Sequence, residues 1–393
     1  MHEIIINKIE GKEQILLVDD GKLVEFYENN EERESIEGNI YLGKVQNVLQ
    51  GMQAAFIDIG ANKNTFIHLK DILPKVDEKI ETKREEPKMK EIVKQGMPLL
   101  VQVKRDSTDK KGARVSTHVS LTGKYLVYMP DANFITISQK IDDIKERERL
   151  IKLVQKLLPV GSGAIIRTSA VNKKEEQIKK DINIQQDKWE QIIKASNEKQ
   201  ENKEFPQLIY KNDSIVKKIF IDLIEKNIAK VIVNNKQTHS RIKEMLEVLE
   251  IKDVQIELKK DVLNMYTLNK EIAKLQNRRI WLKSGGFISI DKTEALTAID
   301  VNSGKYVGTK DLEQTAYIVN KEATVEIAKQ LRLRDIGGIV IIDYIDMHKK
   351  ENQTKIQNLL EEELKKDRSK TQIIGLTKLN LMEMTRKHIC GNE

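Results

Sequence analysis

Short runs of alternating or continuous apolar residues fill the first third of the chain, and their spacing predicts strands. Residues 2–8, 14–18 and 22–27 read as three strands, with Asp19-Asp20-Gly21 as a hairpin turn between the last two. This meander is too small to fold alone and is expected to join a later sheet. Glu28–Ser35 reads as an acidic linker. Five more strands follow over Gly38–Leu49, Gln53–Gly60, Asn64–Leu69, Gln95–Arg105 and Ala113–Leu121. A charged, mobile insert from Lys75 to about Glu91 and a basic turn at Lys110-Lys111-Gly112 interrupt them. Short strands with glycine turns predict a small five-stranded barrel.

Helical spacing enters after Gly123. Strands over Gly123–Pro130, Phe134–Ser138 and Gly161–Ser169 flank an amphipathic helix at Asp142–Leu158. Residues 173–204 form a charged helix with Trp189 as packing anchor, fading into a polar linker at Asn197–Glu204. Strand and helix then alternate: Gln207–Tyr210, Ser214–Glu225, Ala229–Val233, Thr238–Leu249, Gln255–Leu258. This is an α/β unit, and the N-terminal meander is expected to enter its sheet. Residues 263–279 read as helix, and Leu282–Asp291 as a hairpin-like strand. Ala316, Val319, Ala323, Ile327 and Leu331 give Asp311–Arg334 a helical stripe. A charged helix over 350–367, a strand at Thr371–Leu376 and a last helix or turn at Leu379–Lys387 complete an α/β layer.

Two apolar runs of this layer end in carboxylates. Leu296–Ile299 leads to Asp300 and Asn302, and Ile339–Ile342 leads to Asp343. Both runs suit strands buried on both faces. The helix between them implies parallel neighbours, with Asp300 and Asp343 at the edge where such sheets bind ligands. Two carboxylates and water make a natural magnesium site, because magnesium takes oxygen ligands and keeps several waters. The other reading is a strand-end Asp that forms a turn or caps a helix. Asp346 lies three residues beyond Asp343, an odd spacing that places it on the opposite face of a strand as a structural residue.

Composition narrows the class. The 393 residues carry a net charge of +7, which permits a polyanionic partner. One cysteine, Cys390, excludes a disulfide framework and a cysteine-based zinc site within one chain, and fits a reducing cytoplasm. The first residues lack the pattern of a signal peptide, and no apolar run approaches the roughly 18–20 residues of a membrane span. On the barrel, Phe56, Phe66, His68, Lys104 and Lys111 are placed to share one face. Rings beside cations bind single-stranded nucleic acid by stacking bases and meeting phosphates. The other reading of the two phenylalanines is barrel core.

Glu294-Ala-Leu-Thr-Ala-Ile-Asp300-Val-Asn302-Ser, Gln330-Leu-Arg-Leu-Arg-Asp335-Ile-Gly-Gly and Ile342-Asp343-Tyr-Ile-Asp346-Met together resemble the catalytic core of the ribonuclease E/G family. Ala54-Ala-Phe56-Ile-Asp58, Ser120-Leu-Thr-Gly123-Lys-Tyr-Leu-Val127 and Ile166-Arg167-Thr168 extend the resemblance over nearly the whole chain. The resemblance implies a mixed α/β chain in four parts. These are a ribonuclease H-like subdomain (1–35 plus 205–279), an OB-fold RNA-binding barrel (36–122), a 5′-phosphate sensor (123–204) and a deoxyribonuclease I-like catalytic layer (280–393). It further implies a magnesium-dependent endoribonuclease for single-stranded RNA, active in RNA processing and decay, with a preference for 5′-monophosphorylated ends.

By the same resemblance, Asp300 and Asp343 hold magnesium and Asn302 orients the scissile phosphate. Gly123, Val127, Arg167 and Thr168 sense the 5′-phosphate, and Phe56, Phe66, Lys111, Arg368 and Lys370 contact RNA. The family's Cys-Pro-x-Cys zinc link and small C-terminal domain have no counterpart before Glu393. A homo-oligomer therefore stays open while a zinc-bridged dimer is not expected. The alternative reading is an RNA-binding protein whose catalysis is impaired by that missing module.

Overall fold

Glu10-Gly11 and Asp20-Gly21 all take positive φ, the conformation of two-residue hairpin turns. They join β1 (His2–Ile9), β2 (Lys12–Asp19) and β3 (Lys22–Asn30) into an antiparallel meander. The computed structural model describes residues 2–30, 35–72, 88–107, 111–212, 215–224, 228–248, 251, 253–305 and 311–389. Strand β3 runs on to Asn30, so the acidic linker expected from Glu28 begins as strand, and its residues 31–34 lie outside the described set. The chain divides into two units, Met1–Glu34 with Ile215–Cys390, and Ser35–Ser214.

In the second unit β4 (Ile40–Leu49), β5 (Ala54–Asp58), β6 (Thr65–His68), β7 (Pro98–Arg105) and β8 (Arg114–Ser116) close a five-stranded barrel, with β4 paired to both β5 and β7. Alternation sends Ala55, Ile57, Ile67, Val101, Val103 and Val115 inward, each at most 1% exposed. Gly43 permits the closure, since a Cβ there would lie 2.6 Å from Ile57 and 2.9 Å from the Asp58 carbonyl. Residues 75–87 of the expected charged insert lie outside the described set. Its end is the short helix α1 (Met89–Ile92), which buries Met89 in the barrel core rather than trailing in solvent.

The same unit continues with β9 (Leu121–Thr122), β10 (Leu126–Met129), β11 (Ile135–Ile137), helix α2 (Ile144–Leu157), β12 (Gly163–Ile166), helix α3 (Glu175–Glu201) and β13 (Gln207–Tyr210). Four strands form a sheet in the order β11-β12-β10-β9. Leu150 and Val154 of α2 and Ile178, Ile182 and Ile192 of α3 pack onto it, at the spacing of one helical face. The helix α3 holds its form to Glu201, through most of the expected polar linker. Strand β13 pairs with β4 instead of opening the α/β unit, because its partner is the barrel edge.

The first unit resumes with helix α4 (Ile215–Ile224), β14 (Ile228–Val233), helix α5 (Lys236–Val248) and β15 (Gln255–Leu258). The meander enters this sheet as expected, in the order β15-β14-β1-β2-β3. Only a short helix, α6 (Leu268–Lys274), occupies the stretch expected to be helical over 263–279.

The remaining elements are β16 (Arg279–Trp281), β17 (Phe287–Lys292), β18 (Leu296–Asn302), helix α7 (Leu312–Leu333), β19 (Gly338–Asp343), helix α8 (Lys350–Lys365), β20 (Thr371–Leu376) and β21 (Met382–Arg386). They build one sheet, β16-β17-β18-β19-β21-β20, in which β18 and β19 are parallel. Over Leu379–Lys387, where a last helix or turn is expected, a turn leads into the strand β21: Met382, Met384 and Arg386 are buried at period two. Helices α7 and α8 bury Ile299, Val301, Val340 and Ile342 on one face of the sheet. Asp300, Ile339 and Asp343 on the other face are exposed. The two apolar runs are thus covered on one side only, which leaves an open face beside their carboxylates.

Candidate active site

The β18-α7-β19 crossover sets the geometry of the carboxylates. Strands β18 and β19 run parallel in a register that pairs Leu296 with Ile339 and Asp300 with Asp343. Each Asp follows a buried aliphatic residue, Ile299 or Ile342, so strand alternation turns both carboxylates to the open face. Asn302 shares that face, two residues beyond Asp300, and its amide donates to Asp300 Oδ2 at 2.6 Å. Partial burial, then the negative charges of Asp300 and Asp346, push the Asp343 carboxyl above the ordinary aspartate value.

Strand β19 ends at Asp343, so strand parity does not reach Asp346. Asp346 is exposed, and its negative charge is among the causes that raise the Asp343 carboxyl. Among the described residues no cluster of three or more His, Cys, Asp or Glu side chains is placed to hold a metal. Adjacent carboxylates that repel one another suit a hard divalent cation, which takes oxygen ligands.

One residue that the sequence reading passed over organises this end of the sheet. Asn320 of α7 is fully buried, and it donates to the Ile345 carbonyl at 2.8 Å while its Oδ1 accepts the Ile345 N–H at 3.0 Å. Tyr344, also buried, hydrogen-bonds Thr324 at 2.9 Å. The segment after Asp343 is therefore fixed by helix α7. The only signal in the sequence is a pair of polar residues, Asn320 and Thr324, one turn apart beside the apolar stripe.

The residues expected to sense a 5′-phosphate also come together, within the second unit. Val127 pairs with Thr122 on one side and Ile165 on the other. Arg167 extends just beyond β12 and donates from its guanidinium to the Gly123 carbonyl at 2.8 Å. Thr168 is exposed and opens a short helical turn.

Asp181 of α3, another residue the sequence reading missed, holds the 124–126 backbone from below. Its carboxylate accepts the N–H groups of Lys124, Tyr125 and Leu126 at 3.0, 2.7 and 3.3 Å. A Cβ on Gly123 would lie 2.5 Å from both Asp181 oxygens, so glycine permits this approach.

On the barrel, Phe56 and Phe66 are register partners with rings 6.2 Å apart at 68°, an edge-on pair. Both are half-buried, while Ala55, Ile57 and Ile67 fill the core, so the pair lies on the outer surface. Lys111 is exposed, and Gly112 packs so tightly that a Cβ would meet the Asn64 carbonyl at 2.1 Å. That turn borders the strand of Phe66, whose N–H donates to the Ala113 carbonyl at 2.8 Å. Lys104 donates to Gln102 at 2.6 Å and to Ser120 at 3.1 Å. The His68 ring caps its own turn by accepting the Lys70 N–H.

The last expected pair divides in two. Lys370 is exposed at the start of β20. Arg368 is 10% exposed at its side chain, donates to Glu25 at 2.9 Å and to Asp222 at 3.4 Å, and lies over the Tyr27 ring. Its guanidinium takes part in a largely buried ion-pair network within the first unit.

The sequence model of the ribonuclease E/G family matches residues 120–389. Ribonuclease G of Salmonella typhimurium (strain SL1344) is 36% identical over the whole chain, which spans 82% of that protein. A putative ribonuclease E of Buchnera aphidicola subsp. Baizongia pistaciae (strain Bp) is 35% identical, with 98% of this chain and 95% of that protein covered. Ribonuclease E of Escherichia coli (strain K12) is 32% identical over 99% of this chain, which spans 37% of its length. With this match added to the paired carboxylates on their parallel strands, the chain belongs to the ribonuclease E/G family.

Proposed function

We propose that this endoribonuclease cleaves single-stranded RNA with magnesium held by Asp300 and Asp343, and that it prefers substrates with a 5′-monophosphate. The observation that carries the reading is the Asp300–Asp343 register, with the Asn302 amide bonded to Asp300.

When bound, magnesium supplies Lewis-acid stabilisation of the phosphate and activation of water. The chain's own residues do the positioning. Asp300 and Asp343 present oxygens from two rigid strands, so little order has to be created when the cation arrives. Asn302 fixes the orientation of the Asp300 carboxylate and offers a neutral donor to a phosphate oxygen. Asn320 keeps the chain after Asp343 from swinging away. At the sensor, Arg167 and the exposed Thr168 hydroxyl are the donors for a terminal phosphate, with Gly123 and Val127 shaping the backbone beside them. Phe56, Phe66 and Lys111 give the strand a stacking and charged surface on the barrel, and Lys370 adds an exposed cation.

The test is cleavage of one short single-stranded RNA carrying either a 5′-monophosphate or a 5′-hydroxyl. The unmodified chain should cut in magnesium and stop in EDTA, and Asp300→Asn and Asp343→Asn should each lose activity. Cleavage that persists in EDTA, or in both variants, overturns the metal site. Arg167→Ala should erase the preference for the monophosphate while sparing the hydroxyl substrate; an equal loss on both refutes the sensor.

A further inference from the structure

The open face of the catalytic sheet carries an aromatic and cationic group beside the carboxylates. Antiparallel register places Trp281 opposite Phe287 and Phe287 opposite Asn302, while Arg279 is opposite Ser289 and Ser289 opposite Asp300. Directly opposed residues point to the same side of a sheet. Two adjoining rows therefore cross the strands, Trp281–Phe287–Asn302 and Arg279–Ser289–Asp300–Asp343. With strands about 4.8 Å apart, Phe287 lies one strand from Asn302 and Trp281 two.

The side chains in these rows form one structure. The Trp281 and Phe287 rings are 5.2 Å apart at 60°. The Arg279 guanidinium lies 4.4 Å from the centre of the Phe287 ring, a cation–π distance. Trp281 remains 57% exposed, on the edge strand of the sheet. Its neighbour Arg278 is engaged with Asp291 at 2.5 and 2.7 Å, which leaves Arg279 as the cation on the rings.

We propose that Trp281, Phe287 and Arg279 form a base-stacking subsite that takes a base of the single-stranded RNA beside the scissile phosphate. The inference rests on the ribonuclease reading for its occupant and adds a recognition element on the catalytic sheet itself. Unpaired bases stack on aromatic rings and on arginine planes, and the interaction tolerates any base because each has a π face. The surface is continuous with Asn302 and Asp300, so a strand whose phosphate reaches the carboxylates passes these rings. Arg279 supplies the positive charge that its backbone requires.

The chain has two tryptophans, Trp189 and Trp281, so Trp189→Phe leaves Trp281 as the only indole reporter. In that background, made cleavage-silent by Asp343→Asn, a short 5′-monophosphorylated single-stranded RNA should quench the tryptophan fluorescence as it binds. In the active chain, Trp281→Ala should raise KM about ten-fold or more, the scale of one lost base stack, and Trp281→Phe should restore most of the loss. Full RNA binding by anisotropy without any quench overturns the subsite, as does an unchanged KM in a folded Trp281→Ala protein. A change in sedimentation with no change in RNA affinity would assign the rings to a protein interface and also overturn it. The quench requires binding alone. A chain that quenches but does not cut refutes the catalytic reading and keeps the subsite, and one that cuts without quenching does the reverse.

Discussion

Asn320 makes both backbone hydrogen bonds of Ile345, two residues past Asp343. A single buried side chain thereby replaces the sheet partner that β19 loses at its end. Asn320→Ala takes the side-chain partner from a half-buried N–H and C=O, at up to roughly 1–3 kcal/mol for each group left unsatisfied. We expect the variant to unfold at lower denaturant and to cut with reduced kcat, while KM changes little. An unchanged unfolding midpoint would show that water or a shifted backbone takes over the two bonds.

Asp343 sits beside Asp300 and within the field of Asp346, which makes it destabilising while no cation is present. Partial burial, then the charges of Asp300 and Asp346, raise its carboxyl above the unfolded value, so at neutral pH the ionised folded form carries a desolvation cost and a repulsion that the unfolded chain lacks. Asp343→Asn should therefore raise Tm in EDTA and at the same time abolish cleavage. Magnesium should raise the Tm of the unmodified chain, since a ligand of the folded state stabilises it, and should do much less for the variant. Equal shifts with magnesium in both proteins would move the metal away from Asp343.

The loop at residues 123–126 is held from two sides. Asp181 takes the N–H groups of residues 124–126, while Arg167 and Ser169 donate to the carbonyls of Gly123 and Lys124 at 2.8 and 2.6 Å. Asp181→Ala frees three buried or half-buried donors and should cost about 3 kcal/mol. Gly123→Ala drives a methyl group into the Asp181 carboxylate. Both variants should lose the preference for a 5′-monophosphate and keep cleavage of a 5′-hydroxyl RNA. Retained preference in a folded Gly123→Ala protein would show that the loop does not read the phosphate.

The sequence revealed most where periodicity and register act over short distances. Alternation placed the barrel strands, and the stripe Ala316–Leu331 placed α7, because each pattern is enforced by one buried face. The Asp300–Asp343 pairing was legible because a helix between two apolar runs favours parallel neighbours. Three features were not. The strand β21 was hidden because Met382 and Met384 suit a helix as well as a strand, and only pairing with β19 and β20 decides between them. The parity of Asp346 failed because the strand ends three residues earlier, at a point set by Asn320. Asp181 and Asn320 act through backbone groups distant in sequence, and such partners leave no local pattern.

Arg368 and Lys370 look alike in sequence and should part in experiment. The Arg368 side chain bridges Glu25, whose carboxylate is 1% exposed and also accepts the Tyr27 hydroxyl at 2.7 Å. Arg368→Ala takes a cation away from that buried carboxylate, and removing one partner of a buried pair costs about 3–5 kcal/mol. Its main effect should be a large fall in Tm, partly recovered when Glu25→Gln removes the negative charge. Lys370 is exposed, so Lys370→Ala should leave the folding stability within about 0.5 kcal/mol of the unmodified chain. It should instead weaken RNA binding evenly across sequences and lower the salt dependence by about 0.7, one phosphate contact on a single strand. Thermal melts and RNA titrations at several salt concentrations separate the two. A lowered salt slope in a stable Arg368→Ala protein would return Arg368 to the RNA surface.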